Sequence, residues 1–330
     1  MHIPDGFLDA RTAVATGVIA TAGLGTALRS VRRTLPARRI PLVGLAGAFV
    51  FAAQMLNFPV AGGTSGHLVG AVLAAVLLGP SAAVLVLSSV LILQCFLFAD
   101  GGVTALGANI FNMALVAPVA GYGAYIVVRR MAGNGLRSVL FATAFAAWFS
   151  TVAASIACAG QLALSGTVAW RVVFPAMAGV HMLIGAGEAL ITTLVVAALY
   201  RLRPELLKDN LQPRLHPRYT ELAAYGLLIA IGLAIFVAPF ACGWPDGLER
   251  VAAAFGFESK AAVNHLLPSP LPEYAVPGVD SAVLSTIIAG CMGTLGAFAL
   301  AYLLARFLTP RKPDAGPEPG RDSRCASVSA

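Results

Sequence analysis

Long apolar runs broken by short polar segments dominate this chain. Apolar windows near 12–29, 40–57, 67–79, 81–99, 107–128, 138–165, 172–200, 221–242 and 282–305 predict nine helices. The third window, about 13 residues, would rise only roughly 20 Å, too little to cross a hydrocarbon layer of about 30 Å. Gly79-Pro80 separates it from the fourth, because proline disfavours helical geometry in the residue before it.

The polar breaks set a direction. With the N-terminus outside, the clusters Arg29 to Arg39, Arg129 to Arg137, Arg201 to Arg218 and the C-terminal tail all lie inside. Of the 22 basic residues, only Arg11, Arg171, Arg250 and Lys260 fall outside, as the excess of cytoplasmic Lys and Arg requires. The expectation is an all-α integral membrane bundle, about seven helices followed by two more, N-out and C-in. The polar, proline-containing stretch 202–219 reads as a cytoplasmic joint, 243–281 as an external loop and 309–330 as a disordered cytoplasmic tail.

Composition excludes a soluble domain: 58% of residues are hydrophobic and 11% charged, against about 25% charged in soluble proteins; mean hydropathy is +0.82. The net charge of +7 sits at helix ends without interleaved aromatic platforms, so it is topology charge and not a nucleic-acid footprint. Five cysteines without a CxxC pair signal neither a zinc knuckle nor a disulfide framework. Residues 1–10 carry no Lys or Arg before the first apolar run, so no secretory signal is expected and the N-terminus is expected to be retained. Methionine is normally removed only before small residues, and His2 is not small.

Met1-His2-Ile3-Pro4-Asp5-Gly6-Phe7 carries the candidate chemistry. A histidine at position two offers a terminal amine, its own amide once deprotonated, and its imidazole in fused chelate rings. One further nitrogen completes a plane, a geometry that suits Ni(II) or Cu(II). His67, closing Ala61-Gly62-Gly63-Thr64-Ser65-Gly66-His67 at the start of the short third helix, is the candidate fourth donor. Each histidine alone also fits a structural role, and their convergence on one face is what favours a metal. Asp5, Thr64 and Ser65 are candidate acceptors for the outer N–H of a metal-bound imidazole. Asn57, with Gln54, Asn109 and Asn112, either lines a vestibule or bonds between helices. His181 and Glu188 share one face of the seventh helix, as a polar relay or as a buried packing contact. His265 in the external loop is a solvated or pre-capture histidine, and His216 belongs to the joint.

MHIPDGFL at the start, GGTSGH at 62–67 and an N-out bundle resemble the CbiM/NikM family, the metal-capture S-components of energy-coupling factor transporters. The resemblance spans 1–205 and implies that Met1, His2 and His67 hold the ion. Trp244-Pro245-Asp246-Gly247-Leu248-Glu249 and Pro272-Glu273-Tyr274 resemble the PDGLE, or CbiN/NikN-like, module, here fused as 221–308 after a linker at 206–220. The resemblance implies Ni2+ or Co2+ uptake in a prokaryotic inner membrane, with cobalt for cobalamin synthesis as an alternative. It implies no tightly bound cofactor, and as partners a transmembrane coupling (T) subunit, two ATP-binding cassette subunits and membrane lipid. The chain has no GxxxxGK[ST] phosphate loop, in keeping with ATP hydrolysis elsewhere. An intramembrane metalloenzyme ranks lower: no HExxH occurs, and a four-nitrogen plane leaves water no strong in-plane position.

Overall fold

The computed structural model describes residues 1–133, 135–207, 219–262 and 267–309. His216, His265, most of the 206–220 joint and the tail beyond Thr309 lie outside the described residues.

Every apolar window contains a helix. In chain order these are α1 (Ala10–Thr34), α2 (Ile40–Gln54), α3 (Ala71–Leu78), α4 (Pro80–Phe98), α5 (Leu106–Ala132), α6 (Leu136–Leu164), α7 (Trp170–Leu202) and α8 (Tyr219–Phe236), then α9 (Gly247–Ala254) and α10 (Ala282–Leu308). Among the described residues seven helices are long and apolar enough to cross a membrane: α1, α4, α5, α6, α7, α8 and α10. α2 spans 15 residues and α3 only eight.

Local chemistry explains the boundaries. Asp9 caps α1, its carboxylate accepting from the Thr12 N–H at 3.0 Å. Pro80 starts α4 at a position where its missing N–H costs nothing. α5 widens into a π-helical stretch at Ile110–Val116, where Asn112 and Gln161 of α6 exchange hydrogen bonds of 2.8 and 2.9 Å. α8 and α10 pack on α2, and Ala48, Ala52 and Ala230 meet there fully buried. Small residues let these helices approach closely where no water drives them together.

Among the described residues the chain is mostly helical, as expected, with Phe58–Val60 (β1) pairing antiparallel with Thr64–Gly66 (β2), Pro59 opposite Ser65, so that the glycine-rich segment is a hairpin. One expectation is corrected. His67 does not open the third helix, which begins at Ala71 after an extended stretch. Gly70, at φ +75, turns the chain into α3 in a conformation that a side chain would strain. The loop 243–281 holds α9, started by a reciprocal capping box between Asp246 and Glu249.

The loops gather at two ends. At one end the N-terminus, the β-hairpin, the 99–105 loop, the α6–α7 turn and the α8–α10 loop interlock: Thr167 donates to the Phe7 carbonyl, Thr104 N–H to Asp5 at 2.8 Å, Ala262 N–H to the Asp5 carbonyl at 2.8 Å and Cys242 N–H to the Asn57 carbonyl at 2.8 Å. The opposite end carries the α1–α2 and α5–α6 turns and the end of α7.

Candidate metal centre

Residues 1–9 precede α1 and fold back beneath the interlocked loops. Asn109 holds this segment as a third strand would, accepting from the Ile3 N–H at 2.8 Å and donating to the Ile3 carbonyl at 3.1 Å. The Gly102 N–H donates to the Ile3 carbonyl at 2.9 Å. Ile3 and Phe7 plug the protein interior. The terminal amine is thereby buried.

The three principal candidates come together. The Met1 nitrogen lies 3.2 Å from His67 Nε2, and the His2 and His67 ring centroids are 5.3 Å apart. A cavity of about 10 Å3 lies between Met1, His67, Thr151, His181, Asp246 and Gly247, room for roughly one water-sized particle. His2 Nε2 is buried without a hydrogen-bond partner, while its Nδ1 pairs with Asp100. No group of three or more His, Cys, Asp or Glu side chains is arranged to hold a metal among the described residues. The Met1 amine and the His2 amide are main-chain nitrogens of the same segment.

The secondary candidates are placed differently. His67 Nδ1 pairs with the Leu68 carbonyl at 3.2 Å, not with Asp5, Thr64 or Ser65. Each of those three is engaged or oriented elsewhere by the hairpin and the loops: Asp5 accepts from Thr104, Ser65 donates to the Trp244 carbonyl at 2.6 Å, and the Thr64 hydroxyl is buried without a partner. Asn57 ties the hairpin to the C-terminal loop through its backbone. His181 and Glu188 do not bond each other. His181 Nδ1 pairs with the Met177 carbonyl of its own helix at 2.8 Å, and its ring lines the cavity. Glu188 accepts the N–H groups of Val69 and Gly70 at 2.6 and 3.0 Å, anchoring the segment that carries His67. The pair is thus split between the cavity wall and a backbone anchor.

The structure adds residues the pattern did not reveal. Asp246 pairs with the Met1 amine, Asp100 with His2, and Tyr274 donates to Asp100. Asp246-x-x-Glu249 is legible as a helix start, but its reach to residue 1 is not, because no sequence pattern ties partners 245 residues apart.

Electrostatics follow from burial and these pairs. Burial opposes the charged Met1 amine, yet the charge and hydrogen bond of Asp246 outweigh it, and the amine's pKa is raised. Burial, then the neighbouring amine charge, push His67 down to about 3, so its imidazole is a neutral donor. Burial would raise Asp100, but His2 and Tyr274 hold it at about 2. Asp246 is also held low, the amine overcoming its burial.

The described residues form a multi-pass helical bundle with a buried cleft at one end that gathers the Met1 amine, His67 and His181. Residues 2–206 match the model of the cobalt uptake substrate-specific transmembrane region, and 220–310 match the PDGLE domain. The chain belongs to the CbiM family, in its form fused to a C-terminal NikN-like module. It is 36% identical to a putative fused nickel transport protein of Archaeoglobus fulgidus, over 93% of this chain and 99% of that protein. It is 34% identical to the fused nickel transport protein of Rhodobacter capsulatus, over 89% and 94%. Against a cobalt transport protein of Moorella thermoacetica it is 37% identical, over 54% and 65%. A solved transition metal transporter superposes with a TM-score of 0.57 at 35% identity, covering 65% of this chain and all of that one.

Proposed function

We propose that this chain captures Ni2+ at the outer face of a prokaryotic inner membrane, as the substrate-binding subunit of an energy-coupling factor importer. Residues 1–205 bind the ion, 206–220 cross the cytoplasmic side and 221–308 form the auxiliary module. The observation that carries this reading is the buried convergence of the Met1 amine, His2 and His67 Nε2, with the amine 3.2 Å from the imidazole. Amine, deprotonated His2 amide, His2 Nδ1 and His67 Nε2 make the four-nitrogen plane that Ni(II) favours. In the described arrangement His2 Nδ1 faces Asp100. A half-turn about Cβ–Cγ exchanges Nδ1 with Cδ2 and Nε2 with Cε1, freeing Nδ1 for the ion and turning Nε2 toward Asp100. A coupling subunit and two ATP-binding cassette subunits supply the energy, in keeping with the missing phosphate loop.

The decisive experiment is nickel titration of the full chain with an authentic Met1 amine, checked by intact mass, beside the same chain acetylated or extended by one residue. Binding by the free-amine chain alone is the expected result; equal binding by the blocked chain overturns the site. Cobalt is the second reading, favoured by the matched family's cobalt uptake description. Competition between Ni2+ and Co2+ on the purified chain decides between them, with nickel expected to displace cobalt.

A further inference from the structure

Resting on the metal site proposed above, we propose that Asp246 and Tyr274, both from the C-terminal module, are positioning residues for the N-terminal chelate. Asp246 seats the Met1 amine; Tyr274, acting through Asp100, seats the His2 ring. The module thus supplies one support to each half of the site.

Each support uses the two oxygens of a carboxylate for different tasks. Asp246 Oδ1 caps α9, accepting from the N–H groups of Leu248 and Glu249 at 2.7 and 2.9 Å. Its Oδ2 takes the Met1 amine. The helix cap therefore aims the second oxygen. Asp100 Oδ1 meets His2 Nδ1 and, after the half-turn about Cβ–Cγ, accepts the Nε2–H instead, while Asp100 Oδ2 accepts from the Tyr274 hydroxyl at 2.5 Å. The Tyr274 ring stacks on Phe98 with centroids 4.7 Å apart, and Gln94 Nε2 donates to its hydroxyl at 3.3 Å. Glu273 and Tyr274 both sit at positive φ, +53 and +58, without being glycine. Such strain persists only where the surroundings over-determine it.

α9 is itself docked with close tolerance. A β-carbon on Gly247 would lie 2.7 Å from His181 Cε1 and 2.9 Å from Ile184 Cδ1, so a side chain there would force the His181 ring or Ile184 to shift. Ser65 N–H donates to the Pro245 carbonyl at 2.9 Å, tying the same turn to the hairpin that leads to His67.

Both supports remain useful after loading. When the ion arrives, the amine gives up one proton and the His2 amide another, so two protons leave as one divalent cation enters and the cleft's net charge is unchanged. The coordinated amine still carries two N–H groups, so Asp246 keeps its donor. Without that carboxylate a buried cationic complex would lack its nearest countercharge, and an uncompensated buried charge is costly. Outer supports of metal ligands typically matter by about 10–100-fold in affinity.

Full-length chain with a free amine is titrated with Ni2+ by calorimetry, and the ligand-field absorption of the bound ion is recorded, for Asp246→Asn, Glu249→Ala, Tyr274→Phe, Asp100→Asn and Tyr274→Phe/Asp100→Asn. Asparagine still caps a helix well, so Asp246→Asn removes the charge and leaves the cap. The expected result is a loss of about tenfold or more for Asp246→Asn, with a shifted ligand-field band. Tyr274→Phe weakens binding several-fold, and the double variant is no weaker than Asp100→Asn alone. Glu249→Ala, which breaks the reciprocal half of the cap and removes a weaker carboxylate influence on the amine, loses clearly less affinity than Asp246→Asn. Unmodified affinity and spectrum in both Asp246→Asn and Tyr274→Phe overturn the proposal, as does an equal loss in Glu249→Ala and Asp246→Asn. Should Asp246→Asn not fold, the Tyr274–Asp100 cycle decides. If the unmodified chain binds no nickel, or binds it equally when acetylated, the metal site itself has failed, an outcome distinct from loss of these supports.

Discussion

His67 and the Met1 amine are opposite cases of one principle. Both are buried, but the imidazole answers by staying neutral and the amine by recruiting Asp246 and staying charged. The proton that competes with the ion is therefore the amine's, joined by that of the His2 amide. Below the amine's raised pKa, nickel affinity should weaken by at least about 100-fold per pH unit, two protons being displaced per ion. A titration series showing a slope of one proton or none would remove this ligand set. Without metal, the Met1–Asp246 pair has its own window. The amine's raised pKa makes its contribution complete below the ordinary 8.0 and lost as pH climbs through the raised value. The lowered Asp246 contributes above the ordinary 3.8 and is lost as pH falls through its depressed value. Docking of the metal-free terminus should be firmest between these limits, read as resistance of residues 1–9 to an aminopeptidase. His67→Ala should cost roughly a hundredfold or more in nickel affinity, more than the loss of an outer support; a calorimetric titration matching the unmodified chain would dismiss His67.

At the scale of elements, Glu188 is the residue through which α7 sets the ligand segment. Its carboxylate receives two N–H groups from the extended stretch between His67 and α3, groups that would otherwise be buried without acceptors. Glu188→Ala should destabilise the protein by about 2–4 kcal/mol, the penalty for orphaning them, and lower its melting temperature in detergent. Glu188→Gln, which keeps one acceptor oxygen, should cost less. Equal melting temperatures for both variants and the unmodified chain would contradict the anchor. Of this arrangement the sequence showed only a shared helix face for His181 and Glu188. Periodicity reports which residues lie on one side of a helix, whereas the partner on the other element is a tertiary matter. The same limit explains the hairpin: strands of three residues with two glycines in the turn carry too little alternation to be read as strands.

For the whole molecule, the chain's own contacts assign its loops to two ends, and the charge pattern proposes which end is outside. In a cysteine-free background, Ala169→Cys should react with a membrane-impermeant maleimide in intact cells, and Arg38→Cys and Arg137→Cys only after the membrane is opened. The reverse labelling would invert the proposed topology. The multi-pass helical character was legible in the linear chain, because the cost of exposing polar groups to lipid acts on each segment by itself; nine apolar windows were read, and among the described residues seven helices are long and apolar enough to cross a membrane. The nearness of Met1, His2 and His67 was partly legible, since a chelate at residues 1 and 2 is set by covalent connectivity; that they hold an ion is what the titration of the free-amine chain tests. Tertiary structure alone decided that Asp246 reaches the amine, that Asp100 meets His2 and Tyr274 meets Asp100, and that the fused module contributes Asp246 and Gly247 to the wall of the cleft. Those contacts join residues far apart in the chain, and only the packing of α8 and α10 on α2 carries the loop between them over the N-terminus.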